Sequence, residues 1–212
     1  MSTRGSGPAS TPSRRDRVKL ENQRRIKAAA AELFRAHGFG AVTTQEIADR
    51  ADVGTGTVFN YAATKGELLA MVYNDVFAAC ISGVPYTASG SVPDQLIGLY
   101  RRLIEACEQE LENLRAYMRE VLFAYEDGTH QRRAYDLVQQ LRSQTTAVLL
   151  EAQARGAVAA DVDLVTASRN LYALFYITLT EAMLSLDDDT PAMERLRRAF
   201  DLQLRGLQAQ RS

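Results

Sequence analysis

Thr43-Thr44-Gln45-Glu46-Ile47-Ala48-Asp49-Arg50-Ala51-Asp52-Val53-Gly54-Thr55-Gly56-Thr57-Val58-Phe59-Asn60-Tyr61 is the stretch on which the reading of this chain turns. Thr43 with Glu46 three residues later is a pair that opens a helix, each side chain answering the other's exposed backbone N–H. Ile47, Ala48 and Ala51 give that helix a short buried face. Asp52-Val53-Gly54 breaks it, and a second short helix is predicted over about Thr55 to Tyr61. Ala48 and Ala51 are small where the two helices must cross closely. Two such helices joined by a three- to four-residue turn containing Gly are the signature of a helix-turn-helix.

Working outward, Ile26, Ala30, Leu33 and Phe34 mark one apolar face of a preceding helix, predicted from Leu20 to His37 and stopped by Gly38. On the other side, Thr64 and Glu67 form a second capping pair. They open a helix with Leu69, Val72, Val76 and Cys80 on one face, ending near Ser82-Gly83 with Pro85 beyond. Tyr86 to Ser91 reads as a loop. Helical patterns follow from Pro93, from near Asn113 to a break at Glu126-Asp127-Gly128, and then along Leu137, Leu141, Thr145 and Val148 to Gly156. The last two run from Asp163 to about Leu186 and onward from Thr190-Pro191. Neither a strand pattern nor a repeat is found. The expectation is an all-α fold of about nine helices: a flexible basic arm over 1–19, a helix-turn-helix head over 20–66 and a helical body over 67–212.

Composition narrows the function classes. The 212 residues are 46% hydrophobic and 24% charged, as in ordinary globular proteins, and no run approaches a membrane span. Met1 to Ser13 lacks the apolar segment of a signal peptide, so a cytoplasmic protein is expected. Cys80 and Cys107 are too few for a disulfide framework. The net charge of −1 hides an asymmetry. Residues 1–65 hold 11 Lys and Arg against 6 Asp and Glu, and the remainder holds 14 against 20. A basic head on an acidic body implies that the head meets a polyanion, unless it is a solvated arm. An enzyme is disfavoured. His37 and His130 are the two histidines, no HExxH motif occurs, and Glu105, Glu108, Glu120 and Glu126 are scattered. No cofactor and no metal site is expected.

With Lys65 and Leu68 added, the opening stretch resembles the tetracycline-repressor (TetR) family over Thr43 to Leu68. The positions that carry the likeness are Thr43, Ile47, Ala48, Ala51, Val53, Gly56, Thr57, Phe59, Tyr61, Lys65 and Leu68. The resemblance implies a homodimer on double-stranded DNA with a palindromic operator. It also implies a diverged body that forms the dimer interface and binds a small effector, whose arrival releases the DNA. Two positions depart from the family: Asp52 stands where Gly is usual, and Ala62 where a bulky aromatic is usual. The first places mild strain or a local Asp-backbone bond in the turn, and the second leaves a corner less filled.

The residue chemistry stands beside the likeness. Thr43, Thr44, Tyr61 and Lys65 suit phosphate oxygens, which position a protein without reading sequence. Thr43 is equally explained as a helix cap. Thr55, Thr57 and Asn60 are short polar groups able to reach base edges, Phe59 suits a thymine methyl, and Gly56 permits close approach. Arg14, Arg15, Arg17 and Lys19 form either a solvated tail or a minor-groove arm.

The helix after Asp163 is apolar around most of its circumference, which calls for burial on both sides. With the last helix it is expected to make the dimer interface through Phe175, Leu179, Met183, Leu196, Phe200, Leu204 and Leu207. Tyr117, Met118, Phe123, Tyr125, Tyr135, Tyr172 and Tyr176, with Cys107, Asn170 and Thr178 as polar accents, either line an effector pocket or are plain core. A pocket of that composition suits a small apolar or aromatic effector. A ligand-insensitive DNA binder or an activator would carry the same head.

Overall fold

The computed structural model describes residues 13–82, 90–122, 128–184 and 190–208. Among these, nine α-helices and no strand are found. They are α1 (Arg14–Ala41), α2 (Thr44–Arg50), α3 (Thr55–Phe59), α4 (Lys65–Ser82), α5 (Val92–Gln109), α6 (Leu111–Tyr117), α7 (Thr129–Ala154), α8 (Leu164–Leu184) and α9 (Ala192–Arg205). A π-helical turn, Met118–Leu122, continues α6. Most of the expected loop, Tyr86 to Ser89, and the break at Glu126-Asp127 lie outside the described residues.

The caps read from sequence form. Thr43 and Glu46 make the reciprocal box at the start of α2. Thr64 Oγ1 accepts the Glu67 N–H at 3.1 Å, although the Glu67 carboxylate accepts from Ala63 rather than Thr64, and Ser91, read as loop, adds a cap on α5. Asp163 Oδ1 accepts from the N–H of Val165 and Thr166 at the head of α8. One box was overlooked by the sequence reading. Ser13 and Asp16 cap each other, so α1 begins at Arg14 rather than Leu20. Arg14 to Lys19 are therefore the first turns of α1 and not an unstructured arm; residues 1–12 lie outside the described residues. At the far end, Gly38 (φ 75°) kinks α1, and a Cβ there would overlap the Glu112 carboxylate. The kink turns Phe39 back into the core.

Two cores share one helix. The head core contains Ile26, Phe34, Ile47, Val58 and the first half of α4, and it is closed from the body side by Tyr117, Val121 and Ala134. The body core gathers α5, α7, α8 and α9 around Tyr100, Leu149, Leu171 and Phe200. Phe77 on α4 packs against both. Burial of these side chains, each contributing about 1.5–3 kcal/mol, is what holds head to body.

Polar bonds fix the junction. Asn113 accepts the Phe39 N–H at 2.8 Å and donates to the Phe34 carbonyl at 2.8 Å, satisfying the opened end of α1. Beside it, the Glu110 carboxylate accepts from Tyr73 on α4, from Arg35 on α1 at 3.2 Å and from Asn113 at 3.3 Å. Burial opposes its charge, but these three donors together hold its carboxyl below the usual range. The corner at Ala62 is filled after all: Ala62 is buried, and the His130 ring at the start of α7 lies 3.3 Å from the Tyr61 carbonyl.

Candidate nucleic-acid interface and ligand cavity

The turn between α2 and α3 is closed by two backbone bonds, Asp52 N–H to Asp49 and Val53 N–H to Ala48, both 3.1 Å. That is the Schellman pattern, which requires a left-handed residue just past the helix, a position Gly usually fills. Here it is Asp52, at φ 50°. Arg25 on α1 meets the cost: its Nη2 donates at 2.7 Å to both the carbonyl and the carboxylate of Asp52. The turn therefore carries the left-handed strain, and in place of the expected Asp-backbone bond the Asp52 carboxylate is held by a neighbouring helix.

With the turn so fixed, α3 presents one buried residue, Val58, and an open face. Gly56 and Asn60 are exposed, Thr55 and Thr57 half-buried, and Phe59 is 51% exposed. An added Cβ on Gly56 would meet nothing within 4 Å, so packing does not require glycine there. Thr55 donates to Gln45 Oε1 at 2.7 Å, and Gln45 to Asp49 at 2.7 Å, tying α3 to α2. Thr43 uses its hydroxyl in the cap, donating to Glu46 at 2.8 Å, and that cap holds the Glu46 carboxyl below its usual range. Thr44 is half-buried in the first turn of α2.

Two residues expected to donate to phosphate are engaged inside the protein instead. The Lys65 ammonium donates to the carbonyls of Phe39 (2.8 Å) and Val42 (2.9 Å) and sits 4.4 Å from the Phe39 ring centre. Carbonyls left open by the kink at Gly38 draw it there. Tyr61 donates its phenolic proton to the Lys19 carbonyl at 2.9 Å. This bond brings the exposed, basic first turns of α1, with Arg14, Arg15, Arg17 and Lys19, beside the end of α3.

The body holds a partly open apolar cavity of about 80 Å³. Cys107, Tyr117, Met118, Tyr172 and Tyr176, all expected from sequence, line it. Of the other candidates, Tyr135 is 64% exposed, Asn170 is exposed and Thr178 bonds the Leu174 carbonyl within its own helix. Phe123 and Tyr125 lie outside the described residues. Much of the wall was missed, including Phe77, Leu103, Leu114 and the α7 run Ala134, Leu137, Val138 and Leu141. The spacing of that run announces a buried stripe but not a hollow behind it. Burial pushes the Cys107 thiol up to about 12, so it behaves as an apolar lining group.

The interface residues assigned to α8 and α9 need correction. Phe175, Leu179, Met183, Leu196, Phe200 and Leu204 are buried within the chain itself, Phe175 and Leu179 as cavity wall, and Leu207 is half-buried. The stripe left bare on the same helices is different: Ile177 (48% exposed) and Leu184 (58%) on α8, and Leu202 (73%) on α9.

A chain of bonds joins cavity to head. Tyr117 donates to Asn74 Oδ1 at 2.7 Å, Asn74 donates to the His130 carbonyl at 2.9 Å, and the His130 ring meets the Tyr61 carbonyl. Tyr117 is on α6, Asn74 on α4 and His130 on α7, and Tyr61 lies in the turn after α3.

Comparison with known proteins agrees with this geometry. Residues 26–72 match the family model of bacterial regulatory proteins, tetR family. No curated protein matches the chain. Among solved structures, FadR of Thermus thermophilus, a TetR-family transcriptional repressor in complex with lauroyl-CoA, is 27% identical, with a TM-score of 0.69 over 90% of this chain and 97% of that one. FadR of Bacillus subtilis, in complex with stearoyl-CoA, is 16% identical, with a TM-score of 0.66 over 86% and 98%. A TetR transcriptional regulator from Rhodococcus sp. RHA1 is 21% identical, with a TM-score of 0.62 over 89% and 99%.

Proposed function

We propose that the chain, whose residues 26–72 match the model of the tetR family of bacterial regulatory proteins, is a homodimeric repressor of that family that leaves a palindromic operator when a long apolar effector, such as a fatty acyl thioester, enters the body. The observation that carries the DNA half is the open face of α3, bare at Gly56, Phe59 and Asn60 while Val58 on the same helix is buried in the head core. In this reading Thr55, Thr57 and Asn60 meet base edges, and Phe59 meets a thymine methyl. Thr43, Thr44 and the basic first turns of α1 meet phosphates. Lys65 and Tyr61 act by positioning, holding α1 against α3 and α4. Two copies joined through the bare stripe of Ile177, Leu184 and Leu202 set their recognition helices about 34–36 Å apart, one turn of DNA.

The effector half rests on the cavity and on the lauroyl-CoA complex of the 27% identical repressor. Pockets for ligands of ordinary size span about 300–1,000 Å³, so a cavity of about 80 Å³ must expand to admit an acyl chain. Expansion moves Phe77 and Tyr117, which belong to the shared helix and to the chain of bonds leading to Tyr61. Ligand and DNA then oppose each other through one conformational equilibrium.

The test is binding of the full chain to DNA flanking its own gene, followed by fluorescence anisotropy with and without lauroyl-CoA. Saturable binding that the ligand weakens supports the reading. Sequence-specific binding indifferent to every acyl thioester would leave a DNA binder without this effector, and the absence of specific binding would sink the DNA half.

A further inference from the structure

Arg142 on α7 is a charged residue for which the described fold provides little. It is half-buried, its Nη1 reaches only Gln139 Oε1 at a long 3.4 Å, and its Nε is buried without a hydrogen-bond partner. No carboxylate among the described residues pairs with it, whereas Arg25, Arg35, Arg50, Arg119 and Arg197 all have one. A guanidinium carries five donors and does not shed its proton, so burial without an anion is a standing cost.

Its position explains what the cost is for. Arg142 lies one turn beyond Val138 and next to Leu141, both of which line the cavity. Its backbone is pinned at the α7–α8 seam, where the Ser168 and Thr146 hydroxyls both donate to its carbonyl, at 2.9 and 3.0 Å. Across the seam stand Tyr172 and Tyr176, which line the same cavity and whose hydroxyls have no partner among the described residues. The positive charge acts on the Tyr172 hydroxyl and favours its ionised form, though burial outweighs this and pushes that phenol up to about 12. Unused donors thus gather at one edge of an otherwise apolar hollow.

We propose that Arg142, assisted by the Tyr172 hydroxyl, is the anchor for the acidic head of an amphipathic effector whose apolar tail fills the cavity between α7 and α8. The proposal rests on the reading that the cavity takes a long apolar ligand, and it adds that the ligand must carry an anion. A fatty carboxylate and the phosphates of an acyl thioester share that chemistry. Charge-assisted bonds to a guanidinium are the strong ones, so the anion governs selectivity while the tail supplies the burial.

Calorimetric titration of the full chain with dodecanoate, dodecanoyl-CoA and dodecanol separates the possibilities. At least one of the two anions is expected to bind about tenfold or more tightly than dodecanol. In Arg142→Met, which keeps the apolar stem, that preference should fall to within about twofold while dodecanol binding is unchanged. Arg142→Lys should restore part of it, which a variant that merely misfolds would not. Loss of preference for dodecanoate assigns the site to a carboxylate, and loss for the thioester alone assigns it to phosphate. Equal binding of all three ligands, or a preference that survives Arg142→Met, overturns the proposal and leaves the apolar-effector reading standing. Failure of all three to bind overturns that reading and the proposal with it.

Discussion

At the scale of single residues, Gly56 separates folding from function most cleanly. Glycine in a helix costs roughly 0.5–1 kcal/mol relative to alanine, and nothing in the protein occupies the space a Cβ would take. Gly56→Ala is therefore expected to leave thermal stability unchanged or raised, and to weaken operator binding by about tenfold or more by holding the α3 backbone off the DNA. A melting curve beside an anisotropy titration checks both, and unimpaired binding would remove Gly56 from the interface. Glu110 makes the opposite case, a half-buried residue that serves the fold. Its folded pKa is depressed, so its contribution is present above the ordinary value of 4.5 and is lost as pH falls through the folded value. Glu110→Gln cannot accept from Tyr73, Arg35 and Asn113 at once. It should cost about 1–3 kcal/mol at pH 7 and distinctly less at pH 3. Urea unfolding at the two pH values measures the difference, and equal costs would mean that the carboxylate's charge is not what binds the junction.

At the scale of elements, the bare stripe on α8 and α9 predicts the oligomer. Ile177 and Leu184 on α8 and Leu202 on the neighbouring α9 are large, apolar and exposed, and these are the positions that a partner copy would cover in the proposed dimer. Leu202→Glu, at a position that touches little in its own chain, should preserve helicity and shift the proposed dimer toward monomer in sedimentation velocity. A variant that stays dimeric at micromolar concentration would move the interface elsewhere. Elements are also where sequence and structure can be compared most fairly. Helices and caps were legible because each is decided within a few residues: Thr43 with Glu46, Asp163 with Thr166. The start of α1 was misjudged because the Ser13–Asp16 box lies within a basic, polar run, where no apolar face calls attention to it. Partners across the fold were not legible. Periodicity marks Phe175 and Leu179 as apolar, but which side of an all-apolar helix faces its own core depends on the packing of α5, α7 and α9. Lys65 likewise looks free in sequence, since the carbonyls that capture it are exposed by a kink more than twenty residues away.

For the whole molecule, the question is how a change in the body reaches a head built around a separate core. Two features join them: the shared helix α4, with Phe77 in both cores, and the chain from Tyr117 through Asn74 and His130 to Tyr61. Packing alone would couple the sites through α4, and the bonds would then be only local glue. Tyr117→Phe distinguishes the two, because it keeps the ring against Phe77 and removes the hydroxyl that Asn74 accepts. If the bonds carry the signal, the variant still binds operator and still binds an acyl ligand, but each ligand reduces the other's affinity by a smaller factor. Coupling of this kind is typically about 5- to 150-fold, and a fall of about threefold or more would be expected. Thermodynamic linkage supplies an internal check: the factor measured by titrating ligand onto the DNA complex must equal the one measured by titrating DNA onto the ligand complex. Should Tyr117→Phe couple as strongly as the parent chain, the signal travels through the packing of α4. A Phe77→Ala variant, which opens the wall both cores share, would then be the one to uncouple the head.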